Sequence, residues 1–434
     1  MSKIKNIFLF NNFVSLIFCF LPISFILGPT IIHLNIFLIL LFGLRIILIN
    51  KLKLNLTKIE FFLISFFLFY IFSTGLNIQL LGYEYFFKSI FSLRYLALYL
   101  LIKVLVENDK LELNLFFKSC LICTSFLCLD LFVQFFYGKN LFSMYPIEGY
   151  ISGFFGSEPV AGGYIQKLFL FSFLGVFSFF EKKRYKNLFI FLFLFIHANA
   201  AMIASNRMSL ILLMFTLVIL FIFFSSLRKI MTLSLIPIFI SFFFLTSTFE
   251  SLSIPLKKLQ GDIEKTQAYT EEKNFSTNTQ GFFGSTHGRV FASVIHSYKD
   301  NIFFGNGYKS FRVNCNKLTV LEALEAGTLI YKQFCSTHPH NYQLEVLHDT
   351  GIIGFSILSI FVFLKLLKGI TRIIKRNNLN YVYCFLFLNF FIEIFPLKST
   401  GSLFTTWNGT LAWLIISLFV CELKKNKYQD AKRN

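Results

Sequence analysis

Ser336-Thr337-His338-Pro339-His340-Asn341-Tyr342-Gln343-Leu344-Glu345, running on to Gly351-Ile352-Ile353-Gly354, carries the chain from a long polar segment into a hydrophobic helix. With His348, the stretch holds three of the seven histidines of a largely apolar protein. Pro339 biases His338 towards an extended backbone, and residues 340–350 read as the opening of a helix that breaks at Gly351. His340 then stands at a helix mouth near a membrane surface. A neutral imidazole placed there can take a proton from a hydroxyl at neutral pH.

The composition around this stretch points to a polytopic membrane protein. The chain has 434 residues, is 56% hydrophobic and contains 63 Phe. Its mean hydropathy is +0.67. The abundance of Phe reads as coding bias and lipid-facing filler. A net charge of +19 would suit nucleic acid, but the Lys and Arg residues lie in short clusters between apolar runs, and no basic soluble domain carries them. Nucleic acid is therefore not expected as a partner; membrane lipids are.

A helix needs roughly 20 apolar residues to span a bilayer. That ruler predicts an all-α protein with about twelve spans, near residues 7–27, 31–49, 59–81, 86–106, 115–137, 160–180, 188–204, 208–225, 230–249, 351–369, 381–397 and 407–422. No small-residue cleavage site follows the first run, so it reads as a membrane helix. Lys and Arg cluster in every second connection, for example at Lys51, Lys53 and Lys58, at Lys182, Lys183, Arg184 and Lys186, and at Arg372, Lys375 and Arg376. The positive-inside rule then puts both termini in the cytoplasm and the long segment between spans nine and ten outside. Three parts follow: 1–249 with spans one to nine, an outer loop domain over 250–350, and 351–434 with the last three spans and a basic tail. Within the outer loop, residues 261–280 are polar enough to be mobile. Residues 289–298 and 318–326 read as helices, the second on the membrane surface.

Several residues could carry chemistry. Arg207, in Ala204-Ser205-Asn206-Arg207, stands between two apolar runs and is either an anion-binding fork or a snorkelling interface residue. Arg289, in Thr286-His287-Gly288-Arg289, lies where the inside rule does not account for it; a solvated surface role is the plain alternative. Arg94 lies within a span, and a buried acid or Glu84 would explain it as well as a ligand would. Gly305-Asn306-Gly307 reads as a turn that aims residues 289–311, since no third glycine follows at dinucleotide spacing. His338 and His340 have the spacing of a metal pair, but no Cys or carboxylate set completes a site, and no metal is expected. Asp130, Gln134, Asn389 and Glu393 are polar groups inside spans that either pack helices or line a path. Cys120-x-x-Cys123 lies in an apolar helix and reads as two small apolar side chains. Cys315 and Cys335 share the outer loop, where a disulfide would form in an oxidising compartment.

His340-Asn341, then nine residues, then Gly351-x-x-Gly354 resembles the signature of the bacterial O-antigen ligase and O-antigen polymerase superfamily. The His338-Pro339-His340-Asn341 form, the twelve spans, the late outer loop, Arg207 in its Ser205-Asn206-Arg207 setting, Gly288-Arg289 and Gly305-Asn306-Gly307-Tyr308 agree with it. The resemblance extends over residues 150–400; the first five spans match in hydropathy alone. It implies a glycosyltransferase in surface polysaccharide or lipopolysaccharide biosynthesis, in the bacterial inner membrane with its active site facing the periplasm. The donor would be a glycan on undecaprenyl diphosphate and the acceptor a hydroxyl of lipid A-core or of a second glycan, without cofactor or metal. His340 would be the base, and Arg207 and Arg289 would hold the diphosphate. Arg94, His338, Asn341 and Glu158 would be further substrate contacts. The stretch around Ser157-Glu158-Pro159-Val160 looks more like the polymerase-type members, and a protein hydroxyl is a third acceptor class. A transporter or flippase of the same glycolipids is the competing reading, against which stand the lack of an internal repeat and the clustering of candidate residues outside the bilayer midplane.

Overall fold

The computed structural model describes residues 13–146, 151–156, 158–180, 184–204, 206–248, 286–315, 335–375 and 381–431, and among them no strand occurs. The helices, in chain order, begin with α1 (Leu21–Leu27), α2 (Pro29–Ile49), α3 (Lys58–Leu76), α4 (Ile78–Leu81), α5 (Tyr83–Phe91), α6 (Leu93–Glu107) and α7 (Leu113–Tyr137). They continue with α8 (Ala161–Phe180), α9 (Lys186–Ile203), α10 (Arg207–Phe223), α11 (Ser225–Thr248), α12 (Thr286–Tyr298), α13 (Tyr342–Lys375), α14 (Tyr381–Glu393) and α15 (Thr406–Ala431).

Local signals explain where these helices start. Pro29 opens α2 directly after Gly28, a position where its missing N–H costs nothing. Thr57 and Glu60 form a capping box at the start of α3. The side chain of Asn206 accepts from Ser209 N at 3.1 Å and caps α10.

Eight helical stretches among the described residues are long and apolar enough to cross a membrane, α5 and α6 counting together. Arg207–Phe223, Tyr381–Glu393 and Thr406–Val420 are apolar but shorter. The first expected span begins outside the described residues, as do the mobile stretch expected at 261–280 and the helix expected at 318–326. The expected third span, to residue 81, is cut short: α3 ends at Leu76, and the chain turns through α4 and Gly82 (φ +86) before α5. Large side chains cover the outer surface of the bundle, with Phe37 58%, Leu68 58% and Phe239 64% exposed. Water does not tolerate so continuous an apolar surface, whereas lipid does; the protein is built as a multi-pass membrane protein.

Two groups of helices make up the bundle. α7 packs along α8, and α9 packs on both α8 and α11; α3 packs along α13, and α6 along α15. α14 joins the groups by contacting α8 and α15. Polar residues inside the helices tie the bundle together. Glu60 of α3 holds Lys103 of α6 at 3.0 Å and Lys365 of α13 at 2.8 Å. Glu393 of α14 holds Lys167 of α8 at 2.5 Å and Lys398 at 2.9 Å. Asp130 accepts from Leu141 N at 2.8 Å, and Gln134 accepts from Ser152 N and Gly153 N, so both anchor the connection between α7 and α8. Asn389 donates to Lys167 O at 3.3 Å. These groups act as helix ties in the fold.

Helix α13 breaks at Gly351, whose φ of 63° and ψ of −172° belong to a region open essentially to glycine alone. The break frees backbone groups, and residues 302–307 satisfy them. Asn306 N donates to His348 O and Gly307 N to Asp349 O, both at 2.9 Å, and Ile352 N donates to Ile302 O at 2.8 Å. Gly305 and Gly351 lie back to back: a Cβ on either would strike the other's segment. The Gly305-Asn306-Gly307 turn is thus the clasp of the kink. Asp349 completes it by accepting from Tyr70 OH and Lys309 N, each at 2.8 Å, and from Ser310 Oγ at 3.3 Å.

Candidate active site

His340 sits in the connection that enters α13, two residues before the helix begins at Tyr342. Its backbone is left-handed, with φ +56°, an uncommon state for a residue other than glycine. Three bonds hold this stretch in place. Thr400 N donates to His340 O at 2.8 Å. Next to it, Asn341 accepts from Leu344 N at 3.0 Å, which caps α13, and donates to Pro396 O at 2.6 Å. Asn341, expected to contact substrate, is 5% exposed and spends its amide on this scaffold.

The ring of His340 is half-buried and lies between two others. Its centroid is 4.2 Å from that of His338 and 5.4 Å from that of His287. Ser336 Oγ lies 3.0 Å from His340 Nε2, and Thr337 Oγ1 3.0 Å from His338 Nδ1. Burial pulls the pKa of His340 below its ordinary 6.5, and His287 lowers it further. His338 is lowered to about 4, by burial first and then by His340, Arg312 and Lys309. Both imidazoles are therefore neutral at pH 7, the form a proton acceptor needs.

Arg289 lies two residues after His287 in the first turn of α12; its side chain lies outside the described residues. α12 packs against α13, and Val290 and Val294 form a small core with Phe311 and Cys315, against which Cys335 and Leu344 pack. Cys315 and Cys335 are bonded, with Cα atoms 5.6 Å apart.

Arg94 faces the same region from α6. It donates to Phe91 O at 3.2 Å and to Tyr95 OH at 2.7 Å. Glu84, its alternative partner, pairs with Lys88 instead. Arg207 is half-buried at the start of α10, while Glu158 is exposed in the connection before α8. Asn206 donates to Pro159 O at 3.4 Å and brings these two segments together.

Four groups here were invisible to sequence reasoning. Lys309 and Arg312 surround His338 from the turn after Gly307, yet in sequence they look like ordinary loop cations. Glu345 lies 2% exposed one turn into α13, its Oε2 accepting from Leu403 N at 2.7 Å. Lys398 sits beneath the His340 connection, within the Glu393 ion cluster that Tyr342 OH also joins at 2.8 Å. A cavity of about 180 Å³ begins at Tyr342 and Glu393 and continues between Phe355, Leu358, Val362 and Trp413.

No curated protein matches the chain. Residues 188–359 match the family described as O-Antigen ligase, a stretch that contains Arg207, Arg289, His338, His340 and Asn341. Over these residues the chain is similar to the O-antigen ligase family.

Proposed function

We propose that the protein is a membrane glycosyltransferase of the ligase or polymerase type. It moves a glycan from undecaprenyl diphosphate to an acceptor hydroxyl at the periplasmic face of the bacterial inner membrane. The observation that carries this reading is the neutral, half-buried His340, clamped in a left-handed backbone beside His338 and the start of α12. A base of that kind removes the proton of the attacking hydroxyl. Arg289 and Arg207 stabilise the charge that grows on the departing diphosphate. The apolar cavity beneath the connection suits a segment of the lipid chain. Twelve spans, cytoplasmic termini and an outer loop domain over residues 250–350 complete the reading, supported by the placement of basic residues in alternate connections.

The test is transfer by purified protein in nanodiscs, with EDTA and without nucleotide. The donor is an undecaprenyl-diphosphate glycan, offered with lipid A-core or with a second donor molecule. Longer glycans on the carrier identify a polymerase; a shifted lipid A-core identifies a ligase. Absence of transfer to every acceptor, with His340→Ala functioning as wild type in cells, would favour the transporter reading.

A further inference from the structure

In a neutral histidine one ring nitrogen carries the proton and the other accepts, and the bond made by one fixes what the other can do. The two nitrogens of His340 differ in this respect. Nε2 lies 3.0 Å from Ser336 Oγ. Nδ1 has no hydrogen-bond partner among the described residues. The contact with Ser336 is held from both ends of a short stretch. Cys335 precedes Ser336 and is bonded to Cys315, which is buried in the small core with Val290, Val294 and Phe311. At the other end Thr400 N fixes His340 O, and Asn341 caps α13. Pro339, buried between them, restricts the backbone that joins the two. The two tautomers of His340 have opposite consequences. With the proton on Nδ1, Nε2 takes the Ser336 proton, and no nitrogen is left for an incoming hydroxyl. With the proton on Nε2, Ser336 Oγ accepts it, and Nδ1 presents a bare lone pair.

We propose that Nδ1 of His340 is the atom that accepts the proton, and that Ser336 is a positioning residue that keeps the ring proton on Nε2 and fixes the ring. This rests on the base role given to His340 above. In the step, the acceptor O–H proton passes to Nδ1, the hydroxyl oxygen bonds the sugar carbon, and the diphosphate leaves with the electron pair of the broken C–O bond. Ser336 Oγ then accepts a charge-assisted bond from the imidazolium Nε2–H, stronger than the bond it held before. The Cys315–Cys335 link places that oxygen, because Ser336 is the next residue in the chain.

Solid-state NMR on the full chain in nanodiscs, labelled with isotope-enriched histidine, tells a protonated ring nitrogen from a bare one. Subtracting the spectrum of His340→Gln isolates His340 among the seven histidines. At neutral pH, wild type should show Nε2 protonated and Nδ1 bare. Ser336→Ala should mix the two tautomers and lower kcat for glycan transfer roughly tenfold, the worth of one charge-assisted bond, with KM and melting temperature unchanged. Ser336→Thr keeps the hydroxyl and should restore both the tautomer and the rate. Nδ1 protonated in wild type, or an unaltered tautomer in Ser336→Ala, would overturn the proposal, while transfer by wild type would still uphold the glycosyltransferase reading. A Ser336-dependent tautomer in a protein that transfers no glycan to any acceptor would support the positioning role of Ser336 and overturn the reading of the reaction instead.

Discussion

At the scale of single residues, His340 decides the most. Replacing it with Ala should lower transfer by roughly 10²–10⁴-fold, the usual contribution of a positioned base, with an unchanged melting temperature; kcat measured on purified protein checks this. Its pH dependence follows from the direction of its shift. A lowered pKa keeps the imidazole neutral to more acid pH, so the acid limb of kcat/KM should lie below pH 6.5. His287→Gln removes the neighbouring charge and should move that limb upwards. For His338 the same sign holds for stability. Its folded pKa of about 4 lies below the ordinary 6.5, so the folded state should lose stability as pH falls from 6.5 towards 4. Melting scans across that window test this, with His338→Gln as the control that flattens it. The sequence made His340 a candidate through its neighbours Pro339 and Asn341. Its left-handed backbone comes from Thr400, sixty positions away, and no local pattern announces that bond.

At the scale of elements, the break in α13 was legible and its cause was not. Gly351 within an apolar helical run is visible in the sequence. Its fit against Gly305 depends on two segments meeting with no room for a Cβ. Gly351→Ala should therefore destabilise the protein by roughly 1–3 kcal/mol, the typical cost of a strained backbone, and lower transfer with it. The Glu393 cluster makes a second element-level prediction. Glu393, Lys167 and Lys398 are buried together, and removing one member of a buried pair costs about 3–5 kcal/mol. Glu393→Gln leaves two lysines uncompensated and should lower the melting temperature more than Lys398→Met, which leaves a balanced pair. The reverse order would show that the cluster is not the tie between α8, α14 and the His340 connection described above.

At the scale of the whole molecule, membrane sidedness is the property to measure. With the proposed orientation, a single Cys at position 270 should react with an impermeant maleimide added outside intact spheroplasts, and one at position 184 should not. Labelling of position 184 alone would invert the topology and move His340 to the cytoplasmic face. Linking Cys315 to Cys335 closes a loop with a sequence separation of 20, so Cys335→Ser should cost about 3 kcal/mol through the entropy of the unfolded chain.

By itself the sequence determined the helical membrane class, the positions of the apolar runs, the charge asymmetry of the connections and the motif around His340. These follow from hydrophobic runs, Lys and Arg positions and the local chemistry of Pro and Gly, all of which act over a few residues. Only the tertiary structure decided that Asn341 and Asp349 belong to the scaffold, that Glu84 pairs with Lys88 rather than Arg94, and that Lys309 and Arg312 come close to His338. Those outcomes depend on which charges and backbone groups the fold brings within a few ångströms, across tens to hundreds of intervening residues, and on water being excluded where they meet.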